Sequence, residues 1–435
     1  MTSLPERIAL LVLSKFETLP SKCKPRALAE GRREWTPLSA VVLAKDGDEG
    51  DLTCISLATG TKCLSASALP KCHGMVLHDS HAEILALRGF NYWLLTEVQN
   101  ILHRPAYQSP YLELAEGRES DHNPDNLLSG FPAPFRLKQD VSIHFFTTEA
   151  PCGDASMEIL MGSMPSEKTE PWPVDDNALT ALQGRGHFSL LGYVRRKPAR
   201  ADAEPSHSKS CTDKLAVKQF TSVLSYPADL FIQQTENAYI QDLIVYAHQY
   251  NATSYQRAFG PSGRLSNIVD SGRFFNVLPL PRPFTRFSYE SASDTANDSL
   301  KPKASNISAL WIKASTSDTA DVVEVLINGV KQGFKQWDSR PAKASTISRF
   351  KLLQLALRIA ITQSGERPEA NHTANWLRPM DDSWLLNVHH ALSASTYGTA
   401  KATHLRQSRR ASKENITAAL GNWTKNEGDH DWKCG

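Results

Sequence analysis

A histidine and a glutamate two positions apart, His81 and Glu83, constrain this chain more than any other feature of its sequence. Cys152, directly after Pro151, lies about seventy residues further on. Imidazole nitrogen and thiolate sulfur are zinc ligands, and a catalytic zinc keeps one position open for water. At the start of a helix, Glu83 can face that open position and carry protons. The spacing therefore predicts a hydrolytic zinc site.

The same pattern is typical of zinc deaminases that act on nucleobases, which complete it with Pro-Cys-x-x-Cys. This chain departs from it at the last position, where Ala155 stands instead of a cysteine. A third protein ligand must therefore come from elsewhere in the sequence. Spacing alone does not choose among the remaining cysteines, which are Cys23, Cys54, Cys63, Cys72, Cys211 and Cys434.

Periodicity around these residues predicts the local structure that carries them. From Ala82 to Leu95 the apolar residues recur at helical spacing, and Val141 to Phe146 is typical of a buried strand. Pro151 suits the first position of a helix. We therefore expect a helix that carries His81 and a strand-to-helix step whose helix dipole stabilises a thiolate at Cys152.

The rest of the chain alternates strands and helices. Ile8 to Phe16 predicts a first helix, and the runs Ala40 to Ala44 and Leu52 to Leu57 predict two strands around a turn. Helical patterns return at Ile347 to Ile361 and from Ala391 to about Trp423. Because nothing resembles a linker or a repeat, we expect one domain over residues 1–435. Its surface insertions are predicted near 103–138, 165–177 and 291–308.

Composition restricts the compartment and the partners. The 48 basic residues nearly balance the 46 acidic ones, so an RNA surface would be a local patch. Seven cysteines without framework spacing argue against a secreted disulfide scaffold. We find neither a signal peptide nor an apolar stretch near twenty residues. The sequence therefore predicts an intracellular protein, in the cytoplasm, the nucleus or both, without a membrane partner.

A resemblance to a known family adds to this interpretation. The chain resembles the RNA adenosine deaminases, which comprise the ADAR editing enzymes and the eukaryotic tRNA adenosine deaminases. The resemblance runs from about residue 40 to the C-terminus, and only the ordered set of its motifs is specific. In the family's order, the motifs are Thr59 to Cys63, Asp79 to Glu83, Pro151 to Asp154, Val194 to Pro198 and Ser210 to Ala216.

The resemblance implies the missing ligand and the fold. In the family, the cysteine of the segment that matches Ser210 to Ala216 is the third zinc ligand, so the resemblance selects Cys211. It also implies an α/β fold, namely a cytidine-deaminase-like three-layer sandwich with a central mixed sheet, elaborated by C-terminal helices. The helices of His81 and Cys152 would lie side by side on one face of that sheet.

The resemblance further implies a polyanion, because ADAR-type members enclose inositol hexakisphosphate in a basic core. Buried lysines and arginines are costly unless such a ligand pairs them. Asp79 and Lys197 match a relay between that core and the zinc site. The positions that match the core itself are Arg88, Lys214, Lys351, Tyr397, Lys401 and Trp423.

Each of these positions also has an ordinary structural interpretation. The lysines could form a solvated face, and Trp423 could pack against the core. Leu87 stands where ADARs have a second arginine, and the register between residues 406 and 413 is open. Arg195, Arg196 and Lys197, with Arg200, could be a solvated charge run or part of an RNA-facing patch.

The functional hypothesis is deamination of adenosine to inosine in tRNA, with zinc held by His81, Cys152 and Cys211 and with Glu83 as proton shuttle. Thr61 and Lys62 match substrate contacts of the family, although they could form a plain turn. Segment 214–219 resembles fungal tRNA-type members, which implies the adenosine 3′ of the anticodon (position 37) in alanine tRNA. We expect no DNA partner.

Two alternatives remain at this stage. An editor of duplex mRNA would need double-stranded RNA-binding domains, and His81 comes too early in the chain to leave room for one before it. A catalytically silent homologue that binds RNA or inositol phosphate would have no need of Glu83 as a proton shuttle. Both alternatives are therefore less favoured than the tRNA enzyme.

Overall fold

The computed structural model describes residues 2–28, 33–47, 50–115, 133–163, 190–197, 203–281, 303–361 and 382–434. The predicted insertion at 165–177 lies outside these residues, as do 116–132 and 291–302 of the other two. Within the described ranges, no helix is long and apolar enough to cross a membrane.

The elements that the sequence predicts occur in the expected order, among further helices and strands. The helices are α1 (Leu4–Thr18), α2 (Ala82–His103), α3 (Met157–Ser163), α4 (Cys211–Thr221), α5 (Ala252–Phe259), α6 (Arg349–Ile361), α7 (Asp382–Leu392), α8 (Tyr397–Lys401) and α9 (Gln407–Leu420). The strands are β1 (Glu34–Trp35), β2 (Leu38–Lys45), β3 (Asp51–Thr59), β4 (Thr61–Cys63), β5 (Asp79–His81), β6 (Leu112–Leu114), β7 (Phe135–Leu137), β8 (Val141–Thr147), β9 (Ile240–Tyr246), β10 (Asn276–Leu280), β11 (Lys303–Ala304), β12 (Ile307–Ile312), β13 (Val322–Ile327) and β14 (Val330–Lys331).

A mixed sheet of eight strands forms the middle layer, in the order β10-β9-β8-β2-β3-β12-β13-β14. The pairs β8–β9 and β9–β10 are parallel, and the remaining neighbours are antiparallel. Strand β2 is buried on both faces, because Val41 and Leu43 pack into one apolar cluster and Ala40 and Val42 into another. The sheet therefore separates two cores, as the three-layer prediction requires.

Helices cover both faces of this sheet. Ile8, Val12 and Phe16 of α1 pack on one face. On the other face lies a larger cluster that includes apolar residues of α2, α4, α5, α6 and α7. The predicted α/β architecture with C-terminal helices is therefore confirmed.

The predictions for α1, β2, β3, β8 and α6 are confirmed: α6 begins two residues later than predicted, and the other elements are one to six residues longer. The long C-terminal pattern is instead divided into α8, a 3-10 turn at His404–Arg406, and α9. Two short strands, β6 and β7, pair within the predicted first insertion. The predicted third insertion extends too far, because Ile307 and Ser308 already belong to the buried strand β12.

The local structure at the candidate ligands differs from the prediction. His81 ends β5 and is the extended N-cap residue of α2, so it precedes the helix. Cys152 precedes a 3-10 turn at Asp154–Ser156, which leads into α3. The residue that stands at the N-terminus of an α-helix is Cys211, the first residue of α4.

Candidate active site

Three candidate metal ligands converge where β5, the segment after β8, and α4 meet. The Nδ1 atom of His81 lies 3.8 Å from Sγ of Cys152 and 3.7 Å from Sγ of Cys211. All three ligand atoms lie within 4.8 Å of one another. Tetrahedral zinc with Zn–N near 2.0 Å and Zn–S near 2.3 Å would separate nitrogen from sulfur by about 3.5 Å. The donor set and its spacing therefore fit a zinc ion.

Backbone contacts hold the two cysteines together. The N–H of Cys211 donates to Sγ of Cys152 over 3.3 Å, and the N–H of Thr212 donates to the carbonyl of Cys152 over 3.0 Å. Gly153 has φ of +111°, and a Cβ there would lie 2.2 Å from the Ser210 hydroxyl oxygen. A glycine is thus required for this approach.

Cys211, the first residue of α4, stabilises a thiolate at Cys152 through its side chain and through its N–H. Hydrogen bonding with Cys211 lowers the pKa of the Cys152 thiol well below its usual value, against the opposing effect of burial. The charges of Lys197 and His81 act in the same direction. A deprotonated sulfur is the form that binds a metal.

Glu83 lies in the first turn of α2 and is only 4% exposed. Its Oε2 atom has no hydrogen-bond partner among the described residues. Burial, followed by the charge of Cys152, raises the pKa of its carboxyl group. A buried carboxylate oxygen without a hydrogen bond is costly, so its retention beside three candidate metal ligands fits a group that exchanges protons with a ligand in the site.

A buried ion-pair network around Asp79 and Lys197 contacts the ligand cluster. Nζ of Lys197 lies 2.8 Å from a carboxylate oxygen of Asp79 and 3.3 Å from Sγ of Cys211. Lys214 and Ser208 also donate to Asp79, which accepts the N–H of His81 over 3.0 Å. The predicted relay residues are therefore in direct contact with two of the candidate ligands.

The charges within this network determine the protonation states of Asp79 and Lys197. Burial alone would raise the pKa of Asp79, but Lys197 and Lys214 outweigh it and hold that pKa well below its usual value. Burial likewise opposes the charge of Lys197, yet Asp79 raises the pKa of its ammonium group well above the ordinary value. Both groups are thus ionised at neutral pH.

Beyond the relay lies a group of basic side chains that we call the cationic core. Burial, followed by the charge of Arg409, lowers the pKa of Lys218 well below its usual value. Burial and Arg349 do the same for Lys401. Asp229 pairs with Arg406 and Arg409 at 2.6 and 2.9 Å. The members of the cationic core are Arg88, Lys209, Lys214, Lys218, Arg349, Lys401, Arg406, Arg409 and Lys413.

Lys351, one of the predicted core residues, has different neighbours from the others. The charges that lower its pKa, after burial, are those of Lys331 and Arg358, and its Nζ lies 5.6 Å from the ring of Phe350. Arg349 instead lies 5.7 Å from the ring of Tyr397 and depresses the pKa of Lys401. Two residues along an α-helix rotate the side chain by about 200°. Arg349 therefore lies in the cationic core, and Lys351 lies on another side of α6.

The other predicted core residues lie in or beside the cationic core. Arg88 is buried, which lowers its pKa to about 10, and it donates to the carbonyl of Ile347. Tyr397 stacks on Trp432 with centroids 4.8 Å apart. Trp423 is only partly buried, and Nζ of Lys209 lies 5.1 Å from its ring centroid.

Sequence reasoning missed several members of the core, namely Lys209, Lys218, Arg349, Arg406, Arg409 and Lys413. Arg406, Arg409 and Lys413 recur at intervals of three and four residues, the spacing of one helical face. That spacing was a usable signal. No comparable signal distinguishes Lys218 or Arg349 from solvated cations.

Two short strands place the predicted substrate residues. Thr61 pairs with His81 and Lys62 with Ser80 across β4 and β5. The Oγ1 atom of Thr61 is buried and has no hydrogen-bond partner among the described residues. Both residues therefore lie beside the ligand strand, and their contact with substrate stays a prediction.

Two cations of the basic run before Cys211, Arg195 and Lys197, are buried and do not form a solvated face. Arg195 is 1% exposed and Lys197 is 3% exposed. The N–H of Arg195 donates to Asp213 over 2.9 Å, and the ammonium group of Lys197 pairs with Asp79. Neither side chain is available to RNA at the surface, and Arg200 lies outside the described residues.

The fold and the site together define the class of α/β deaminases, with metal ligands and a buried glutamate at one side of a mixed sheet. The family model of the adenosine-deaminase (editase) domain matches residues 56–427. The chain belongs to this family.

Full-length relatives agree with this assignment. The chain is 35% identical over 367 residues to tRNA-specific adenosine deaminase 1 of Schizosaccharomyces pombe, covering 83% of this chain and 87% of the relative. The protein of the same name from Saccharomyces cerevisiae is 32% identical over 368 residues, covering 82% and 84%. The double-stranded RNA-specific adenosine deaminase of Mus musculus is 30% identical over 152 residues, 35% of this chain and 11% of the relative.

Proposed function

We propose that this chain deaminates adenosine to inosine in tRNA, at position 37, 3′ of the anticodon of alanine tRNA. The observation that carries the proposal is the buried carboxyl group of Glu83, whose Oε2 atom has no hydrogen-bond partner among the described residues, beside the cluster of His81, Cys152 and Cys211. The relatives named tRNA-specific adenosine deaminase 1 support the substrate class, since they match over most of their length.

The proposed mechanism assigns a task to each of these side chains. His81, Cys152 and Cys211 would hold zinc, which when bound would supply a Lewis acid that lowers the pKa of water. Glu83 accepts a proton from the water that attacks C6 of the adenine and delivers it to the departing amino nitrogen. The new C6–O bond forms, the C6–N bond breaks, and the products are inosine and ammonia.

An anticodon loop suits this site energetically. The enzyme must take its base out of the stack, and an unpaired loop nucleotide costs less to extrude than a paired one. The position of Thr61 and Lys62 on β4, beside His81, supports their proposed contact with the RNA substrate. The hydroxyl of Thr61, unpaired within the described residues, is suited to hydrogen-bond a nucleotide that enters.

We also infer that the cationic core holds inositol hexakisphosphate. Several of its ammonium and guanidinium groups have pKa values lowered by burial and by one another, which is costly without an anion. Asp229 pairs with Arg406 and Arg409, Asp79 with Lys214, and Asp429 with Arg349, so these three carboxylates compensate only part of the charge of the nine cations. A compact polyphosphate would neutralise the rest and fit the many donors of the core.

The test of the main proposal is to incubate the zinc-loaded full chain with a transcript of alanine tRNA and to score inosine at each position. We expect conversion at position 37 and little or none in a long RNA duplex of equal concentration. A folded, zinc-loaded protein that forms no inosine in tRNA would refute the proposal. Faster turnover of the duplex would favour the mRNA-editing alternative instead.

A further inference from the structure

We propose that Tyr193 and the cleft beside α5 form a subsite for an unpaired nucleotide that flanks the target adenosine. The proposal deepens the proposed function, on which it rests, by naming a second recognition element of the RNA. Tyr193 would stack on the base, and the neutral polar residues of the cleft would hydrogen-bond its edge or its ribose.

Ion pairs join this cleft to the candidate active site. Its volume is about 560 Å³, and its wall includes Gln256, Arg257 and Ser262. Nε of Arg257 lies 3.0 Å from a carboxylate oxygen of Asp154, and Nη1 pairs with Glu158 at 2.5 Å. Because Asp154 stands two residues after Cys152, their Cα atoms lie within about 7 Å of each other. The wall of the cleft is therefore connected to the Cys152 segment through the buried carboxylate of Asp154.

The same carboxylate positions the segment that carries Tyr193. The N–H of Gly192 donates to Asp154 over 2.7 Å, and a Cβ on Gly192 would lie 3.9 Å from Cδ of Arg257. On the C-terminal side of Tyr193, Val194 is 2% exposed and packs into the larger apolar cluster. Tyr193 itself is 40% exposed. Its ring is thus presented to solvent by two neighbours that are held in place.

The chemistry of the cleft fits a base or a ribose better than a phosphate. Arg257, the cation of its wall, is already paired with two carboxylates. Most of the exposed lining is apolar, and the neutral polar groups beside it are the amide of Gln256 and the hydroxyls of Thr253 and Ser262. Nε2 of Gln256 donates to Oγ of Ser262 over 2.7 Å. Unpaired RNA bases are commonly recognised by stacking on aromatic rings and by hydrogen bonds to their edges.

The test uses the full chain, loaded with zinc, and variants that separate stacking from hydrogen bonding. Tyr193→Ala removes the ring, Tyr193→Phe keeps it, and Gln256→Ala removes the amide. Trp337→Ala is the matched control, because Trp337 is also a surface aromatic (45% exposed) but packs beside Lys71. The substrates are anticodon stem–loops of alanine tRNA, either intact or with one abasic nucleotide at each position flanking the target.

We expect Tyr193→Ala to lower kcat/KM on intact RNA by about 5- to 100-fold, the range for stacking one base on an aromatic ring. One abasic position should lower the wild-type value by a similar factor and cause no further loss in Tyr193→Ala. Tyr193→Phe should remain within about threefold of wild type. Trp337→Ala should behave as wild type.

Other outcomes overturn the proposal. An unaffected Tyr193→Ala variant with native zinc content would remove the stacking role, and so would additive losses at every abasic position. If wild-type protein deaminates no tRNA at all, the proposed function fails. Normal deamination of tRNA that does not depend on Tyr193 would instead refute only this subsite.

Discussion

The ammonium nitrogen of Lys197 lies 2.8 Å from a carboxylate oxygen of Asp79, and both side chains are buried. This pair joins two parts of the molecule. Lys197 also approaches Sγ of Cys211, while Asp79 also accepts from Lys214 of the cationic core. A change of charge on either side of the pair therefore acts on the other.

Asp79→Asn should destabilise the fold and loosen the ligand cluster together. The substitution leaves Lys197 and Lys214 without their carboxylate, and breaking a buried ion pair costs about 3–5 kcal/mol. Chemical denaturation and zinc content measure the two effects. Asp318→Asn is the control, because the pair of Asp318 with Arg104 is at the surface. Equal unfolding midpoints for the two variants would contradict this role.

Glu83→Gln should abolish turnover and leave the metal in place. The amide has the shape of the carboxyl group but does not shuttle protons, so we expect kcat to fall by about 10²–10⁴-fold. Inosine formation on tRNA and the zinc content of the same sample are the measurements. A variant that keeps its kcat within tenfold of wild type would remove Glu83 from the mechanism.

Cys211→Ser should lose zinc and activity together, since a hydroxyl is a far poorer zinc ligand than a thiolate. Cys63→Ser is a stringent control. Its thiol lies on β4 opposite Asp79, close to the site but outside the ligand cluster. The zinc content of the purified proteins should be low in Cys211→Ser and normal in Cys63→Ser. Full zinc retention by Cys211→Ser would mean that the third ligand is another group.

Arg349 and Lys351 offer a matched test of the cationic core, because they lie on the same helix and face different surroundings. We expect Arg349→Ala to lower the phosphorus content of the purified protein and its Tm. Lys351→Ala should change neither. A ligand at a hundred times its Kd stabilises by about 2.7 kcal/mol, which thermal unfolding detects readily. The reverse order of effects would return Lys351 to the core.

His78 should make the protein less stable in mild acid. Burial, followed by the charge of Arg349, lowers its pKa to about 4, against the opposing contact with Asp429. Between pH 6.5 and 4 the unfolded chain binds a proton that the native state excludes. The contribution of His78 to the free energy of unfolding is therefore complete above pH 6.5, and it is lost as the pH falls from 6.5 to 4.

The His78→Gln variant isolates this contribution, since the amide still offers an N–H to Asp429. The free energy of unfolding of the wild type should fall by about 3 kcal/mol more than that of the variant across the window. Urea titrations at several pH values measure it. Parallel pH profiles for the two proteins would show that His78 titrates normally.

The local sequence determined His81 and Glu83 as chemical groups, because a short spacing fixes them, whereas Cys152 and Cys211 come from distant segments. His81 and Glu83 flank the start of α2, and the glycine after Cys152 permits the approach of the Ser210–Cys211 segment. The pattern of β2, β3 and β8 likewise predicted the centre of the sheet, since continuous apolar runs are typical of strands buried on both faces.

Tertiary structure alone decided which cations lie close to one another. Lys218, Arg349 and Lys413 look like ordinary surface residues in the sequence, and they come together only when α4, α6 and α9 pack. It also decided that the helix N-terminus at the site belongs to Cys211, not to Cys152. The physical reason is the same in both cases. Burial and charge proximity arise between segments far apart in the chain, whereas helical spacing and ligand motifs are properties of neighbours.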